Sequence, residues 1–178
     1  METFADYILS EKNFDKKLAI MYFLEQKANI YFNKSVILKT VIAKLFIEQE
    51  KLDVDENLVI TACLLYACKK TDGPQNLDKI KSYAKESAEY LKTLGFSEHF
   101  CKICEEHNRY NGSQNREKES DILELVDQFG GMILDRPERK GFLVDEALVL
   151  LEYRNLRGKD NRYLKQFVNF ISRVEELK

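Results

Sequence analysis

Very few residues of this chain can interrupt a helix. Its 178 residues include only seven glycines and two prolines. These two residue types provide most tight turns of β-rich architectures, and both are disfavoured inside helices. With 44% hydrophobic and 33% charged residues, the chain has the ordinary composition of a globular protein. The sequence therefore predicts an all-α protein, and its length fits one domain, residues 1–178.

Apolar residues recur at helical spacing through most of the chain, which predicts a succession of helices. Leu58 to Cys68 is apolar on nearly every side and predicts a buried central helix. The spacing of Asp53 and Glu56 predicts its N-terminal cap, and Ser97 is predicted to cap a later helix. The predicted helices span residues 3–9, 14–31, 35–49, 55–69, 77–94, 98–109, 118–134, 145–156 and 161–177.

Charge and hydropathy disfavour two classes of partner. The formal charge is −2, and the pI near 5.8 gives no basic excess of the kind that a duplex-binding domain uses. The start of the chain lacks the basic-then-apolar layout of a signal peptide, and no apolar run is long enough to span a membrane. We therefore expect a cytoplasmic protein with no membrane and no bulk nucleic-acid partner.

A segment in the second half of the chain carries a family resemblance. Residues Asp127 to Leu148 read DQFGGMILDRPERKGFLVDEAL. This resembles, without a gap, the C-terminal signature of the HD-GYP branch of the HD phosphohydrolase superfamily. There, a helical aspartate precedes an Asp-Arg-Pro-Tyr-Arg stretch and a Glu-Ala-Leu helix start. The resemblance places Asp127 on the metal-ligand aspartate of the family, and it implies an HD-type helical bundle.

Three upstream segments extend the resemblance over residues 31–156, flanked by N-terminal helices in 1–30 and a C-terminal helix in 157–178. Glu106 to Ser113 is similar to His-His-Glu-Arg-aromatic-Asp-Gly, but the Gly-Tyr-Pro that follows in the family is missing. Leu64 to Lys70 aligns with Leu-Leu-His-Asp-Ile-Gly-Lys, so the His-Asp pair that names the superfamily is Tyr66 and Ala67. Tyr83 replaces a further histidine, and the first family histidine would fall near Phe32 or Asn33.

These replacements bear on catalysis. The family implies one to three divalent metals, which polarise a phosphate ester and generate hydroxide. Of its ligands only His107 and Asp127 remain, with Glu106 as a possible carboxylate substitute. A phenol is a poor ligand for a divalent metal and a methyl group is none, so the catalytic positions Tyr66, Ala67 and Tyr83 are degenerate. We expect no cofactor; weak binding of one divalent metal is the alternative.

The phosphate-facing side is better preserved. The resemblance implies a ligand-binding set of Lys70, Arg109, Arg136, Arg139 and Lys140, and guanidinium groups bind phosphate without a metal. Either Arg109 or Lys70 is expected to neutralise Asp127. In the alternative, the two loop arginines form exposed ion pairs of little energetic value with the nearby acids Asp135, Glu138 and Asp145.

The cysteines are expected to be inert. Cys101 and Cys104 form a Cys-x-x-Cys, and Cys104 shares a helix face with His107. A zinc site of Cys104, His107 and Asp127 is conceivable, but no second Cys-x-x-Cys supplies further ligands. Buried reduced thiols fit a cytoplasmic protein better.

Three functional hypotheses follow. The first is a catalytically inactive domain that acts as a regulatory, ligand-sensing or scaffolding module. Its partner would be a protein or a phosphorylated small molecule such as a cyclic dinucleotide. Homo-oligomerisation is compatible with this hypothesis. The second is a metal-dependent phosphohydrolase with a reduced metal site. The third is a helical interaction domain whose former pocket is filled by Tyr66 and Tyr83.

Overall fold

The predicted all-α class is confirmed in a computed structural model of the chain, which describes residues 2–71, 77–108, 115–155 and 161–175. Nine helices and no strand are found in these ranges; an isolated β-bridge joins Arg136 to Arg139. The helices are α1 (Phe4–Ser10), α2 (Phe14–Ala28), α3 (Lys34–Glu50), α4 (Glu56–Leu65), α5 (Leu77–Thr93), α6 (Glu98–Glu106), α7 (Lys118–Ile133), α8 (Val144–Asn155) and α9 (Leu164–Glu175).

Helices α4 and α7 carry much of the core. Every residue of α4 from Val59 to Leu65 is buried, and so is every residue of α7 from Glu119 to Val126. The two helices pack against each other, and each also packs against α3 and α6. The other main contacts are α5 with α6, α8 with α7 and α9, α3 with α9, and α1 with α4. Because α4 and α7 are buried on most sides, the other helices pack around them.

Helix α4 is shorter than predicted. It ends at Leu65, and residues 66–69 form turns with hydrogen bonds from the Cys68 amide to the Leu65 carbonyl and from the Lys70 amide to the Ala67 carbonyl. Such i to i−3 bonds tighten the chain beyond an α-helix. Apolar residues continue through this turn because it too is buried, so the sequence pattern could not mark the end of the helix.

The caps are partly as predicted. Ser97 caps α6, and its hydroxyl accepts the Phe100 amide at 3.2 Å. The cap of α4 is Asp55, which accepts the Leu58 amide at 3.0 Å, and the prediction of Asp53 was wrong. The carboxylate of Asp53 instead pairs with Lys118 of α7 at 3.3 Å.

The buried face of α3 includes a lysine as well as apolar residues. Val36, Lys39, Ala43 and Phe46 point inward, whereas Leu45 is exposed. Because α3 is apolar on much of its circumference, its hydrophobic pattern alone does not define a face. The inward position of a lysine on this helix matters for the site.

A short connection folds back over the C-terminal end of α7. The Phe142 amide donates to the Met132 carbonyl at 2.9 Å, and the Gly141 amide donates to Asp135 Oδ1 at 2.7 Å. A Cβ atom at Gly141 would lie 2.1 Å from the Ile133 carbonyl oxygen, so only glycine allows this approach. The fold-back holds the loop of Arg136 and Arg139 against the helix end.

No helix of the described residues has the length and apolar character needed to cross a membrane.

Candidate functional site

A cavity of about 540 Å³ opens beside α7. Its described walls come from α3, α5, α7, α8 and three connecting segments, and their large apolar side chains are Ile80, Met132 and Phe142. Its polar and charged side chains are Lys39, Lys70, Tyr83, His107, Asn108, Asp127, Gln128, Arg136, Arg139 and Arg154. Among the described residues of the lining five are cationic and one is a carboxylate, so this part of the cavity is electropositive.

The carboxylate of Asp127 lies at the floor of the cavity. Its Oδ1 atom accepts the Lys39 ammonium at 2.7 Å and the Tyr66 hydroxyl at 2.6 Å. The side chain of Lys39 is 5% exposed and that of Asp127 22% exposed, so the lysine is buried whereas the aspartate is partly exposed to the cavity. A Cβ atom at Gly130 would lie 2.7 Å from Lys39 Cγ; the glycine therefore gives the lysine its space.

Tyr83 and His107 extend this network. The Tyr83 hydroxyl lies 3.0 Å from His107 Nε2 and 3.5 Å from Asp127 Oδ2. His107 Nδ1 contacts the Cys104 carbonyl, which can only accept, so Nδ1 carries the proton and Nε2 accepts from Tyr83. Burial lowers the pKa of His107 and favours this neutral tautomer.

The protonation states of the floor follow from its surroundings. Burial opposes ionisation of Asp127, but the ammonium groups of Lys39 and Lys70 outweigh it and hold the pKa of the carboxyl well below its usual range. Burial, reinforced by the Asp127 charge, raises the pKa of Tyr66 and Tyr83 well above the usual value for a phenol. The floor thus contains an ionised carboxylate that accepts hydrogen bonds from the Lys39 ammonium and the Tyr66 hydroxyl, with the neutral phenol of Tyr83 beside it.

The two loop arginines bind backbone carbonyls. Arg136 Nη2 donates to the Gly131 carbonyl at 3.0 Å, and Arg139 donates to the carbonyls of Gly131, Met132 and Lys140 at 2.8, 3.1 and 2.8 Å. Two of these carbonyls belong to the last turn of α7, which has no intrahelical donors for them. Among the described residues no carboxylate lies within ion-pair distance of either arginine, so the expected alternative of pairing with Asp135, Glu138 or Asp145 is wrong.

This mode of bonding leaves charge in the cavity. A helix C-terminus carries only about half an elementary negative charge, so it orients the two guanidinium groups without neutralising them. Lys70 and Arg154 add two further cations to the wall. The ammonium of Lys70 lies 5.4 Å from the centre of the Tyr83 ring, above a neutral aromatic face.

Most of the predicted site residues are brought together, and some are not. Lys70, Tyr83, His107, Asp127, Arg136 and Arg139 line the cavity, and Tyr66 lies beneath it. Ala67 is buried, and Lys140 is exposed outside the lining. Arg109 lies outside the described residues. Asp127 pairs with Lys39, which the sequence interpretation did not consider, while Lys70 contributes at longer range.

Glu106, the third candidate metal ligand, lies apart from the other two. Its carboxylate accepts the Glu117 amide at 3.1 Å and lies 3.9 Å from the Lys102 ammonium. Within the described ranges, no group of three or more His, Cys, Asp or Glu side chains is arranged to hold a metal ion. The weakly bound divalent metal stays a prediction.

All four cysteines are buried and free. Burial raises the pKa of Cys68 to about 11 and that of Cys104 well above the usual thiol value. Thiols that are neutral and covered react slowly, in agreement with the expectation of inert cysteines.

Two cationic residues of the cavity were missed from the sequence. Lys39 had a signal, because it lies in phase with the buried residues Val36, Ala43 and Phe46 of α3. A lysine on such a face needs a buried partner. No such signal marked Arg154 in the sequence, because a basic residue in the last turn of a helix is common.

Comparisons of the chain with models of known protein families, with curated proteins and with solved structures found no match. The resemblance to the HD superfamily and the HD-type arrangement of the helices therefore stay predictions from the sequence.

Proposed function

We propose that this protein is a non-catalytic regulatory or ligand-sensing domain whose cavity binds a small phosphorylated molecule. The observation that carries the proposal is that, of the residues that the structure describes, five cationic side chains and one carboxylate line the same open cavity. The carboxylate is already paired with one of the cations, Lys39. Among the described residues the guanidinium groups of Arg136 and Arg139 contact only backbone carbonyls and an aromatic ring, so their charge is available to an anionic ligand.

The arrangement of the arginines suits phosphate in particular. A guanidinium group has five N–H donors, of which Arg136 uses one and Arg139 three on backbone carbonyls within the described residues. The unused donors are held on side chains that the end of α7 has already oriented. Preorganised, charge-assisted donors favour tetrahedral oxyanions and need no metal.

The non-catalytic part of the proposal rests on the floor of the cavity. A divalent metal at Asp127 would meet the ammonium of Lys39, which repels it and already bonds to the carboxylate at 2.7 Å. Its other neighbours there would be the neutral phenols of Tyr66 and Tyr83, which are weak ligands. These residues do not fit a resident divalent metal.

The second hypothesis, a metal-dependent phosphohydrolase, keeps one supporting observation, since His107 and Asp127 both line the cavity. Turnover that needs added metal and both residues would favour it. The third hypothesis, an interaction domain without a small ligand, would be favoured if no anion binds.

Calorimetric titration with pyrophosphate, simple nucleotides and cyclic dinucleotides at low salt tests the proposal. We expect saturable binding to the wild type that weakens when salt rises from about 50 to about 200 mM, because the contacts are electrostatic. Arg136→Gln should weaken binding about tenfold, the loss expected for one charge-assisted hydrogen bond.

Arg173→Gln is the matched control. It removes the same charge from α9, where Arg173 contacts Glu50 away from the cavity, and it should leave the affinity within about twofold. The absence of heat and of thermal stabilisation with every ligand would overturn the proposal.

A further inference from the structure

The described walls of the cavity are cationic, whereas its floor holds the ion pair of Lys39 and Asp127. Arg136, Arg139, Arg154 and Lys70 belong to its walls, whereas Asp127 lies at the floor with an ionised carboxylate. A bare phosphate can approach the cations, but at the floor the Asp127 carboxylate is an acceptor and gives the phosphate oxygens no hydrogen bond. An anion bound at the walls therefore leaves the floor of the cavity without a ligand contact. Only a ligand with a further group can also reach the floor.

The two oxygens of Asp127 are used unequally. Oδ1 receives Lys39 and Tyr66 at 2.7 and 2.6 Å. Oδ2 has a single contact of 3.5 Å among the described residues, from a Tyr83 hydroxyl that lies closer to His107 Nε2. At 3.5 Å this contact is weak, and an ionised carboxylate oxygen accommodates two acceptor directions. Oδ2 thus retains acceptor capacity on a side chain that faces the cavity.

The other groups around Asp127 do not offer that capacity; Gln128, which also lines the cavity, has an oxygen without a hydrogen-bond partner among the described residues, but that atom is buried. Tyr66 and Lys39 direct their donors at Oδ1, and His107 Nε2 is occupied by Tyr83. Ile80, Met132 and Phe142 give the same cavity an apolar component that suits carbon and ring atoms. The lining therefore combines cations, an apolar wall and one carboxylate acceptor.

Building on the proposed anion site, we infer that Asp127 is a specificity-determining residue that selects phosphate esters whose organic part carries a hydroxyl or amino donor. The phosphate of such a ligand lies against the wall cations, and its donor bonds to Asp127 Oδ2. Phosphorylated sugars, polyols and amines belong to this class, whereas inorganic phosphate and simple alkyl phosphates do not. In this role the carboxylate contacts the ligand directly and needs no metal.

A matched pair of ligands tests the inference. Ribose 5-phosphate and pentyl phosphate carry the same anion on five carbons, but only the sugar has hydroxyl donors. Calorimetry at low salt should give ribose 5-phosphate an affinity at least about tenfold higher, the contribution of one hydrogen bond to a charged group. Burial of the alkyl chain works against this result, so the comparison is conservative.

The variant Asp127→Asn supplies a second measurement with opposite signs. Its amide oxygen can still accept Lys39 and Tyr66, while its NH₂ group presents donors where Oδ2 was. Ribose 5-phosphate should bind more weakly, pentyl phosphate should bind more tightly, and their ratio should fall to within about twofold. If the variant fails to fold, the wild-type ligand pair decides alone.

The outcomes separate the two proposals. Equal binding of both ligands to the wild type overturns the selection by Asp127 and leaves the anion site standing. Failure of inorganic phosphate, pentyl phosphate and ribose 5-phosphate alike to bind overturns the anion site itself and the inference with it. Preference for the sugar that persists unchanged in folded Asp127→Asn assigns the discrimination to another residue and contradicts the inference.

Discussion

Lys39 and Asp127 lie 88 residues apart in the chain, and their ammonium and carboxylate meet at 2.7 Å on the floor of the cavity. The pair joins α3 to α7, the helix that ends beneath the loop arginines. A lysine on a buried helix face is costly unless it has a partner, and so is an ionised aspartate beside it. The stability of the fold therefore depends on the pairing of these two residues.

Lys39→Met should therefore destabilise the protein by about 2–4 kcal/mol, because the aspartate keeps its charge and loses its main counter-ion. The double variant Lys39→Met/Asp127→Asn should recover much of that loss, since no buried charge is then left unpaired. Urea denaturation followed by circular dichroism measures both changes.

Lys44→Met on the same helix is the control, because Lys44 pairs with Glu48 and Glu56 near the surface. This variant should lower the free energy of unfolding by less than about 1 kcal/mol. Equal costs for the variants at positions 39 and 44 would show that the pair with Asp127 has no special weight.

The guanidinium of Arg139 contacts three carbonyls of the loop and the last turn of α7, a geometry that an ammonium cannot reproduce. Arg139→Lys should accordingly lower stability by about 1–2 kcal/mol although the charge is retained. Chemical denaturation alongside Arg173→Lys, an exposed position with the same substitution, isolates the effect. A full rescue by lysine would mean that charge alone matters at position 139.

A second buried lysine gives a pH-dependent prediction. The side chain of Lys17 is 1% exposed, and its ammonium donates to the Ile8 carbonyl and the Thr61 hydroxyl at 2.6 Å each. Burial lowers the pKa of Lys17 to about 8, below the ordinary lysine value of 10.5. Between these two values the unfolded chain binds a proton that the folded chain does not, so stability contributed by this group rises with pH.

The stability of the wild type relative to Lys17→Met should thus increase by about 2–3 kcal/mol between pH 7 and 11. Taking the difference against Lys17→Met removes the contribution of other groups that titrate in this range. Guanidinium denaturation at a series of pH values gives the curve. A difference that is flat with pH would indicate that Lys17 stays protonated in the fold.

Catalysis provides a further prediction. The protein should not hydrolyse cyclic dinucleotides or generic phosphodiesters when manganese or iron is added, because Lys39, Tyr66 and Tyr83 occupy the surroundings of Asp127. Chromatographic assays of product with purified protein measure this. Metal-dependent turnover that disappears in both His107→Ala and Asp127→Ala would establish the phosphohydrolase hypothesis instead.

The sequence was sufficient for the helices and for about half of the cavity. Helical periodicity marked all nine described helices, and the family resemblance singled out Tyr66, Tyr83, His107 and Asp127, which lie together. It did not identify Lys39, because a lysine is usually solvated and its burial depends on a partner 88 residues away. The carbonyl contacts of the loop arginines were equally hidden, since they arise from the fold-back at Gly141.

Nuclear magnetic resonance of the ¹⁵N-labelled protein during titration with pyrophosphate tests the proposed anion site directly, because it locates the bound anion. We expect saturable shift changes concentrated at Gly131, Arg136, Arg139, Phe142 and Arg154, which line the cavity, with α1 and α2 unaffected. Shift changes spread over the exposed lysines without saturation, or no changes at all, would contradict an anion site in this cavity.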